Sequence, residues 1–468
     1  MWKERRLKFY GELSLTLIWF GMLLYWHKYQ PGGAPGSNYL QTYLANLHNC
    51  LQVFNYMADM RAGKAETIDE ANLHRLNRLR SIRCLWALTQ PNPDPKNFDG
   101  VWTRVANAPH DLFLMNAYLD GRVLSEFHKE QNSTVQILAM ADQKVTTGSN
   151  PALKAYCQLW VTEKRGSPTI VDGQVREIWL KNWDPRTPFL APILISCPIP
   201  TGLNPKWVSV TTSKCMQADN QLEITYAGKS DLEGSQRSHT VVCVKGMDFL
   251  NDISGRLVEW LEVTRLLGAD KIIMYTYSVH PTVQRVLQYY QIDGFLQVIP
   301  LTLPGAMPNL PAYRSAYIQR NRQQKRRNEV MPYNDCLYRS LYSHQFALIV
   351  DIDEIVVPQK HANWSSMIET VMEGYGLGVQ KDDFTAFSVR NAFFFDNLTE
   401  SAFERAKAGG GIGYPEIPNF AAHKEAQELS DVPKNVHMLS HVYRSAKISP
   451  PGSYGKSFVY IPNTLDTD

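Results

Sequence analysis

The chain lacks two features that mark metal clusters and nucleic-acid binding. None of its 7 cysteines stands in a C-x-x-C spacing, the usual pattern of a structural zinc site. The formal net charge is only +3, from 48 basic and 45 acidic side chains, and the densest basic run, residues 320–327, is local. So small an excess of positive charge argues against binding nucleic acid or another polyanion.

The composition is that of a folded protein. With 468 residues, 44% of them hydrophobic and 20% charged, the chain can bury two or more cores. The cysteines and three N-x-S/T sequons, at Asn132, Asn363 and Asn397, all lie beyond the N-terminal apolar segment. One or more disulfides are expected, and the odd cysteine total leaves at least one thiol unpaired or bonded to another chain.

The N-terminal segment indicates where in the cell the protein is located. Four basic residues within positions 3–8 precede an apolar stretch from Leu13 to Trp26. Positive charge before an apolar segment keeps the N-terminus cytosolic, and extension back to Phe9 brings the stretch near the minimum of about 17 residues for a spanning helix. Because no small-residue cleavage site follows Trp26, an uncleaved anchor is favoured over a cleaved signal peptide. The sequence predicts a single-pass type II Golgi membrane protein with the remaining domains in the lumen.

Composition and the Pro- and Gly-rich stretches that interrupt helices divide the chain into four predicted regions. Residues 1–28 are predicted as tail and anchor, and 29–100 as a stem that ends after the Pro91–Pro95 run. Residues 101–238 predict a small β-rich domain and 239–468 a catalytic domain. The expected strands of the β-rich domain are 135–139, 169–171, 175–180, 192–196, 207–212 and 222–226.

From residue 240 onward strands and helices alternate. Strands are predicted at 240–245, 271–277 and 295–299, with a helix ending at Gly268 and another beginning at Pro281 and ending before Gly294. Such a βαβαβ unit implies a mainly parallel sheet that binds ligands at the carboxyl ends of its strands.

A pair of carboxylates stands at such an end. The apolar run Phe346–Val350 predicts a central strand, and Asp351 and Asp353 follow it directly. Two acids at this spacing can hold one Mg²⁺ or Mn²⁺ ion. As a Lewis acid, the ion would neutralise charge on a diphosphate leaving group, which is what transfer from a nucleotide sugar requires.

Basic and amide side chains close before this strand are candidates for donor binding. Lys325 or Arg327 would meet the diphosphate, since Arg suits bidentate contact with phosphate. Asn328, Asp335 and Asp351 complete the predicted donor-binding set. The basic run could equally be a solvated helix face, and Asp335 could simply cap a helix that begins there.

A phosphohydrolase of the haloacid dehalogenase type is a rival interpretation, because it also places D-x-D after an apolar strand. Two observations weigh against it. Its motif normally opens the domain, whereas three strand candidates precede Asp351, and the later Lys-Asp-Asp sequence at 381–383 follows too closely to complete the same sheet.

The chain resembles glycosyltransferase family 92, which includes animal β-1,4-galactosyltransferases acting on fucose in N-glycan cores. The matching stretches are Ala117–Arg122, Tyr156–Trp160, Cys197–Pro198, Val242–Lys245, Glu259–Trp260, Arg265–Asp270, Gln324–Leu337 and Val350–Glu354. Together they cover roughly residues 101–468.

The resemblance implies an α/β fold: a GT-A type catalytic domain, Rossmann-like with a mainly parallel sheet, preceded by a small β-rich domain and an N-terminal membrane anchor helix. It also implies Mn²⁺ (or Mg²⁺), a UDP-sugar donor with UDP-galactose as best candidate, a glycan or glycoprotein acceptor, and an inverting displacement. Inversion needs a base to deprotonate the acceptor, and Glu416 and Asp396 are the first candidates, with His437 and His441 as alternatives.

One departure from the family concerns the metal site. Members usually continue into a further segment with a His, whereas this sequence stops at Asp468. The role of that His would fall to His437 or His441, and His441 is the predicted third ligand beside Asp351 and Asp353. The alternative is a catalytically impaired or truncated protein that binds glycans without transferring sugar.

Overall fold

Two β-sheets and a long helix between them make up the fold, as seen in a computed structural model. It describes residues 100–122, 133–142, 153–161, 168–180, 185–186, 189–214, 216–226, 237–374, 386–394, 438, 448–450 and 456–461. All of these belong to one compact unit spanning residues 86–468.

The first sheet closes on itself. Its strands are β1 (Thr103–Arg104), β2 (Leu112–Asp120), β3 (Thr134–Asp142), β4 (Ala155–Trp160), β5 (Thr169–Glu177), β6 (Leu190–Pro198), β7 (Trp207–Thr211) and β8 (Leu222–Thr225). They are ordered β1-β2-β3-β6-β5-β4-β7-β8, and a parallel pairing of β8 with β2 closes a ring of seven. We call it the closed sheet.

Strand β2 is buried along almost its whole length because both of its faces are covered. Leu114 and Ala117 pack inside the ring, whereas Phe113, Met115 and Tyr118 pack outside it. A strand covered on both faces shows no apolar–polar alternation.

The second sheet carries the helices. Its elements are β9 (Ser238–Phe249), α1 (Ser254–Leu266), β10 (Lys271–Val279), α2 (Pro281–Ile292), β11 (Leu296–Pro300), α3 (Pro311–Arg320), α4 (Arg322–Arg339), β12 (His344–Ile349), α5 (Trp364–Gly374), β13 (Ala386–Val389) and β14 (Lys456–Tyr460). The strand order is β11-β10-β9-β12-β14-β13. The first four strands are parallel, and β14 is antiparallel to both β12 and β13. We call it the mixed sheet.

The local elements predicted for residues 240–299 are present, from β9 through β11. Gly268 and Gly294 end α1 and α2 with φ of +103° and +83°, a left-handed conformation that glycine adopts without steric cost.

The predicted fold class is nevertheless wrong. The described strands form a closed sheet and a mixed sheet, and nine of their thirteen pairings are antiparallel. This is not the mainly parallel, Rossmann-like GT-A arrangement that was predicted. The parallel pattern of residues 240–299 extends to β12 but not to β13 and β14, and the strands before residue 226 form an antiparallel sheet that closes through one parallel pair.

The two sheets share a core. One cluster joins Phe113, Tyr118 and Leu138 of the closed sheet to residues of β9, β10 and α4. A second cluster fills the space between the mixed sheet and helices α1, α2 and α5. Two disulfides add covalent links: Cys157–Cys197 joins β4 to β6, and Cys243–Cys336 joins β9 to α4.

No helix in the described ranges is long and apolar enough to cross a membrane. The prediction of a single-pass type II Golgi membrane protein is withdrawn, since no spanning helix is found in these ranges. The segment predicted as the anchor, Phe9–Trp26, and the rest of residues 1–99 lie outside the described part of the chain.

Candidate functional site

Three strands of the mixed sheet bring charged residues to one place. Parallel β12 and β9 are in register with Ile349 opposite Cys243, so Asp351, just after β12, comes beside Lys245 of β9. Antiparallel β14 pairs Ser457 with Ile349, which brings Lys456 to the same point. The carboxyl end of β12, where the predicted acidic motif lies, is therefore flanked by a lysine from each neighbouring strand.

These residues form a network that we call the charged cluster, comprising Lys245, Lys325, Glu329, Asp351, Glu354 and Lys456. The Lys245 Nζ lies 3.0 Å from Asp351 Oδ2 and 3.5 Å from Glu329 Oε1. The Lys456 Nζ lies 2.7 Å from Glu354 Oε2 and 3.9 Å from Asp351 Oδ2. Lys325 reaches Glu329 at 3.5 Å, and the Asp351 backbone N–H donates to Glu354 Oε2 at 2.9 Å.

The charges in this cluster balance, with three ammonium groups against three carboxylates. Burial lowers the pKa of Lys245, but the nearby charges of Glu329 and Asp351 outweigh it, so its pKa is raised overall. Burial, followed by the charge of Asp351, raises the pKa of Tyr333. Lys245 is therefore a cation and Tyr333 a neutral hydrogen-bonding group at ordinary pH.

One oxygen of Asp351 remains available for a ligand. Its Oδ1 is buried and has no hydrogen-bond partner within the described ranges, and a buried polar atom without a partner costs free energy. Asp353 is exposed. No set of three or more His, Cys, Asp or Glu side chains is grouped to hold a metal among the residues described. Asp351 and Asp353 therefore offer oxygen ligands that suit a hard cation, but only part of a complete site.

Helix α4 presents two different faces. Lys325, Glu329 and Tyr333, spaced four residues apart, lie on the face toward the charged cluster. Arg327 and Asn328, which were also predicted to bind the donor, are buried on another face. Arg327 donates to the backbone carbonyls of Gln323 and Arg186 and lies over the Trp179 ring, and Asn328 accepts from Gln324 Nε2 at 2.9 Å.

Asp335, another predicted donor-binding residue, is fully buried. Its carboxylate accepts from Asn116 Nδ2 at 2.6 Å and from the Tyr118 hydroxyl, both on β2. Tyr275 of β10 donates at 2.6 Å and Arg339 Nε at 2.7 Å. Asp335 does not begin a helix, as its possible capping role required, but lies within α4 and links it to both sheets.

The remaining predicted site residues cannot be placed. Asp396 and Glu416, the candidate bases, and His441, the candidate third metal ligand, lie outside the described residues, as does His437.

Sequence reasoning missed Lys245 and Lys456. Both begin or interrupt apolar strands, and a lone lysine in such a position gives no signal of its own. The register of β9, β12 and β14 would have revealed them, because it aligns each lysine with the motif aspartate.

A mixed sheet with a carboxylate motif at the end of a parallel strand, flanked by cations, defines a site suited to a charged phosphate-bearing substrate. Comparison with known families gives the class: residues 238–408 match the model of glycosyltransferase family 92. These residues form a domain of glycosyltransferase family 92, which confirms the resemblance read from the sequence. The presence of this domain implies a glycosyltransferase, an enzyme class that uses a sugar donor and a glycan acceptor. No curated protein matches the chain.

Proposed function

We propose that this protein transfers a hexose from a nucleotide sugar, with UDP-galactose as the best candidate donor, to a glycan acceptor. The observation that carries the proposal is the position of Asp351 at the end of β12, with one buried oxygen unpartnered and Lys245 at 3.0 Å from the other. A site that joins an available carboxylate oxygen to ammonium groups suits a metal diphosphate.

Asp351 and Asp353 would hold a Mn²⁺ or Mg²⁺ ion, with His441 as a candidate third ligand. Bound there, the ion would supply Lewis-acid stabilisation of the departing diphosphate. The charge balance of the cluster supports this assignment, because a doubly charged metal and a diphosphate diester with two negative charges enter without adding net charge.

Lys245 and Lys456 would orient the donor. Both ammonium groups lie within 4 Å of Asp351, so each can exchange part of its contact with that carboxylate for a phosphate oxygen. Charged hydrogen bonds of this kind position the leaving group and offset its charge in the transition state.

The acceptor hydroxyl would be deprotonated by Glu416 or Asp396, as an inverting displacement requires. In such a displacement the acceptor oxygen bonds to the anomeric carbon as the bond to the diphosphate oxygen breaks, and the hydroxyl proton passes to the carboxylate.

The test is UDP release by the full chain, supplied with UDP-galactose and a mixture of N-glycan acceptors, with Mn²⁺ or with EDTA. Turnover should require the metal and fall by a factor on the order of 100 or more in Asp351→Asn and Asp353→Asn, because each loses a metal ligand. Turnover that persists in EDTA and in both variants would refute the metal assignment.

A second variant tests the donor contact separately from chemistry. Lys245→Met should weaken UDP binding about tenfold or more, because it removes a partly buried cation from the phosphate site. Lys271→Met is the matched control, since Lys271 begins β10 at the opposite end of the sheet. A folded protein that binds UDP and transfers no sugar would instead favour the glycan-binding alternative.

A further inference from the structure

A second polar pocket lies on the closed sheet, at the start of β7 and along β8. It measures about 320 Å³, which falls at the small end of the range for ligand-binding pockets. The residues that line it are Asn204, Lys206, Trp207, Glu223, Ile224 and Tyr226. None of them belongs to the charged cluster or to the part of the chain that matches the family model.

Trp207 differs from other tryptophans of the described fold. The indole N–H groups of Trp102, Trp160, Trp260 and Trp364 each donate to a protein oxygen. Trp207 is half-buried, yet its indole N–H has no such acceptor within the described ranges. Those four side chains are buried, whereas the Trp207 N–H is not among the buried unpartnered atoms and is open to solvent. The pocket therefore offers both an aromatic surface and a donor that a ligand can reach.

The other polar groups of the pocket are also available. Lys206 and Glu223 are exposed and form no ion pair with any residue in the described ranges. Tyr226, by contrast, is committed: its hydroxyl donates to Asn204 Oδ1 at 3.0 Å and to the carbonyl of Pro205. That contact fixes the loop before β7, so Asn204 is held in place without a ligand.

The chemistry of these groups favours one class of ligand. One ammonium and one carboxylate give the pocket no net charge, which disfavours a nucleotide or another anion. An amide, a carboxylate and an ammonium around an aromatic ring match a sugar, whose hydroxyls hydrogen-bond in the plane of the ring while its C–H face packs on an aromatic side chain.

We propose that this pocket is a binding site for a neutral saccharide, separate from the transfer site. The Trp207 ring packs against one face of the sugar, and Asn204, Lys206 and Glu223 bind its hydroxyls. The small volume restricts the site to one or two sugar units of a longer chain.

The test measures saccharide binding by the full chain without a donor. Three neutral probes, N-acetyllactosamine, chitotriose and maltotriose, are screened by saturation-transfer NMR and titrated by tryptophan fluorescence. At least one should bind, and Trp207→Ala should weaken that binding about tenfold or more, as removal of a central aromatic contact does. Glu223→Gln keeps the shape of the side chain and should weaken binding several-fold.

Two controls complete the test. Tyr313→Ala removes an exposed aromatic ring from α3 and should leave binding unchanged. Asp351→Asn should also leave it unchanged, which separates this pocket from acceptor binding at the charged cluster. The proposal fails if no probe binds, or if Glu223→Gln and every folded Trp207 variant bind as the wild type does. Neither result depends on UDP-sugar turnover.

Discussion

A single buried carboxylate, Asp335, joins residues from β2, β10 and α4. Asp335→Asn should lower the free energy of unfolding by about 3 kcal/mol, because an amide cannot accept all four hydrogen bonds and leaves Arg339 without its counter-charge. Guanidinium denaturation measures the change. Asp353→Asn, at an exposed position, should change stability by less than about 0.5 kcal/mol. Equal stability of the Asp335 variant and the wild type would mean that these hydrogen bonds do not support the fold.

His344, at the start of β12, makes stability depend on pH. Burial lowers its pKa to about 4, with Lys271 and Arg237 acting in the same direction and Asp270 opposing them. The unfolded chain takes up this proton near pH ~6.5, whereas the folded chain does so only near its lowered pKa. Between these values the unfolded state binds more protons, so stability falls as the pH falls.

The expected loss attributable to His344 is about 2 kcal/mol between pH ~7.5 and pH ~5. His344→Gln should remove that part of the pH dependence. Urea unfolding of both proteins at the two pH values gives the comparison. If the two proteins lose the same stability on acidification, His344 does not carry the effect.

Among the larger elements, α4 and β9 are fixed to each other by Cys243–Cys336. Replacing both cysteines with Ala should lower the free energy of unfolding by about 2–4 kcal/mol, because the bond restricts the unfolded chain. The bond Cys157–Cys197 spans 40 positions rather than 93, so its removal should cost about 0.7 kcal/mol less. Thermal unfolding of the two double variants tests which loss of stability is larger. A larger loss on removing Cys157–Cys197 would show that packing in the native state outweighs the entropy of the unfolded chain.

The elements that sequence could predict are those with a clear period or stop. Helix α1 has apolar residues at helical spacing and ends at Gly268, and β12 contains most of the apolar run Phe346–Val350. Strands β2 and β4 were not predicted. Their burial is nearly continuous because both faces are covered, so the alternation that identifies a half-buried strand is missing.

The same limitation applied to the candidate site. The position of Asp351 at the end of a strand was predictable, because the apolar run before it is local. Which face of α4 meets the site was not predictable, because Lys325 and Asn328 differ only in their angle around the helix. That angle is set by contacts with β6 and β2, which are distant in sequence.

For the whole molecule, the shared core makes the two sheets depend on each other. A fragment of residues 101–238 would expose Phe113, Tyr118 and Leu138, which pack against the mixed sheet. We expect it to lack a cooperative unfolding transition and to bind a hydrophobic dye, whereas residues 86–468 should unfold cooperatively. Calorimetry of both distinguishes the outcomes. A sharp transition in the short fragment would make the closed sheet an independent domain.

The fold class of the whole molecule was predicted wrongly because it depends on strand pairing between distant residues. Composition identified strands on both sides of residue 238 but gave no signal of their partners. The closing pair of β2 with β8 joins residues about a hundred positions apart. The antiparallel insertion of β14 beside β12 is equally remote in sequence.

The position of β14 also has a consequence for biosynthesis. The ribosome completes β12 and its aspartates well before it reaches residues 456–460, so the nascent chain first presents β12 with one edge unpaired. An open apolar edge is prone to association with other chains, which makes a chaperone useful during this interval. Lys456 arrives last, and the charged cluster is therefore complete only when β14 has paired with β12.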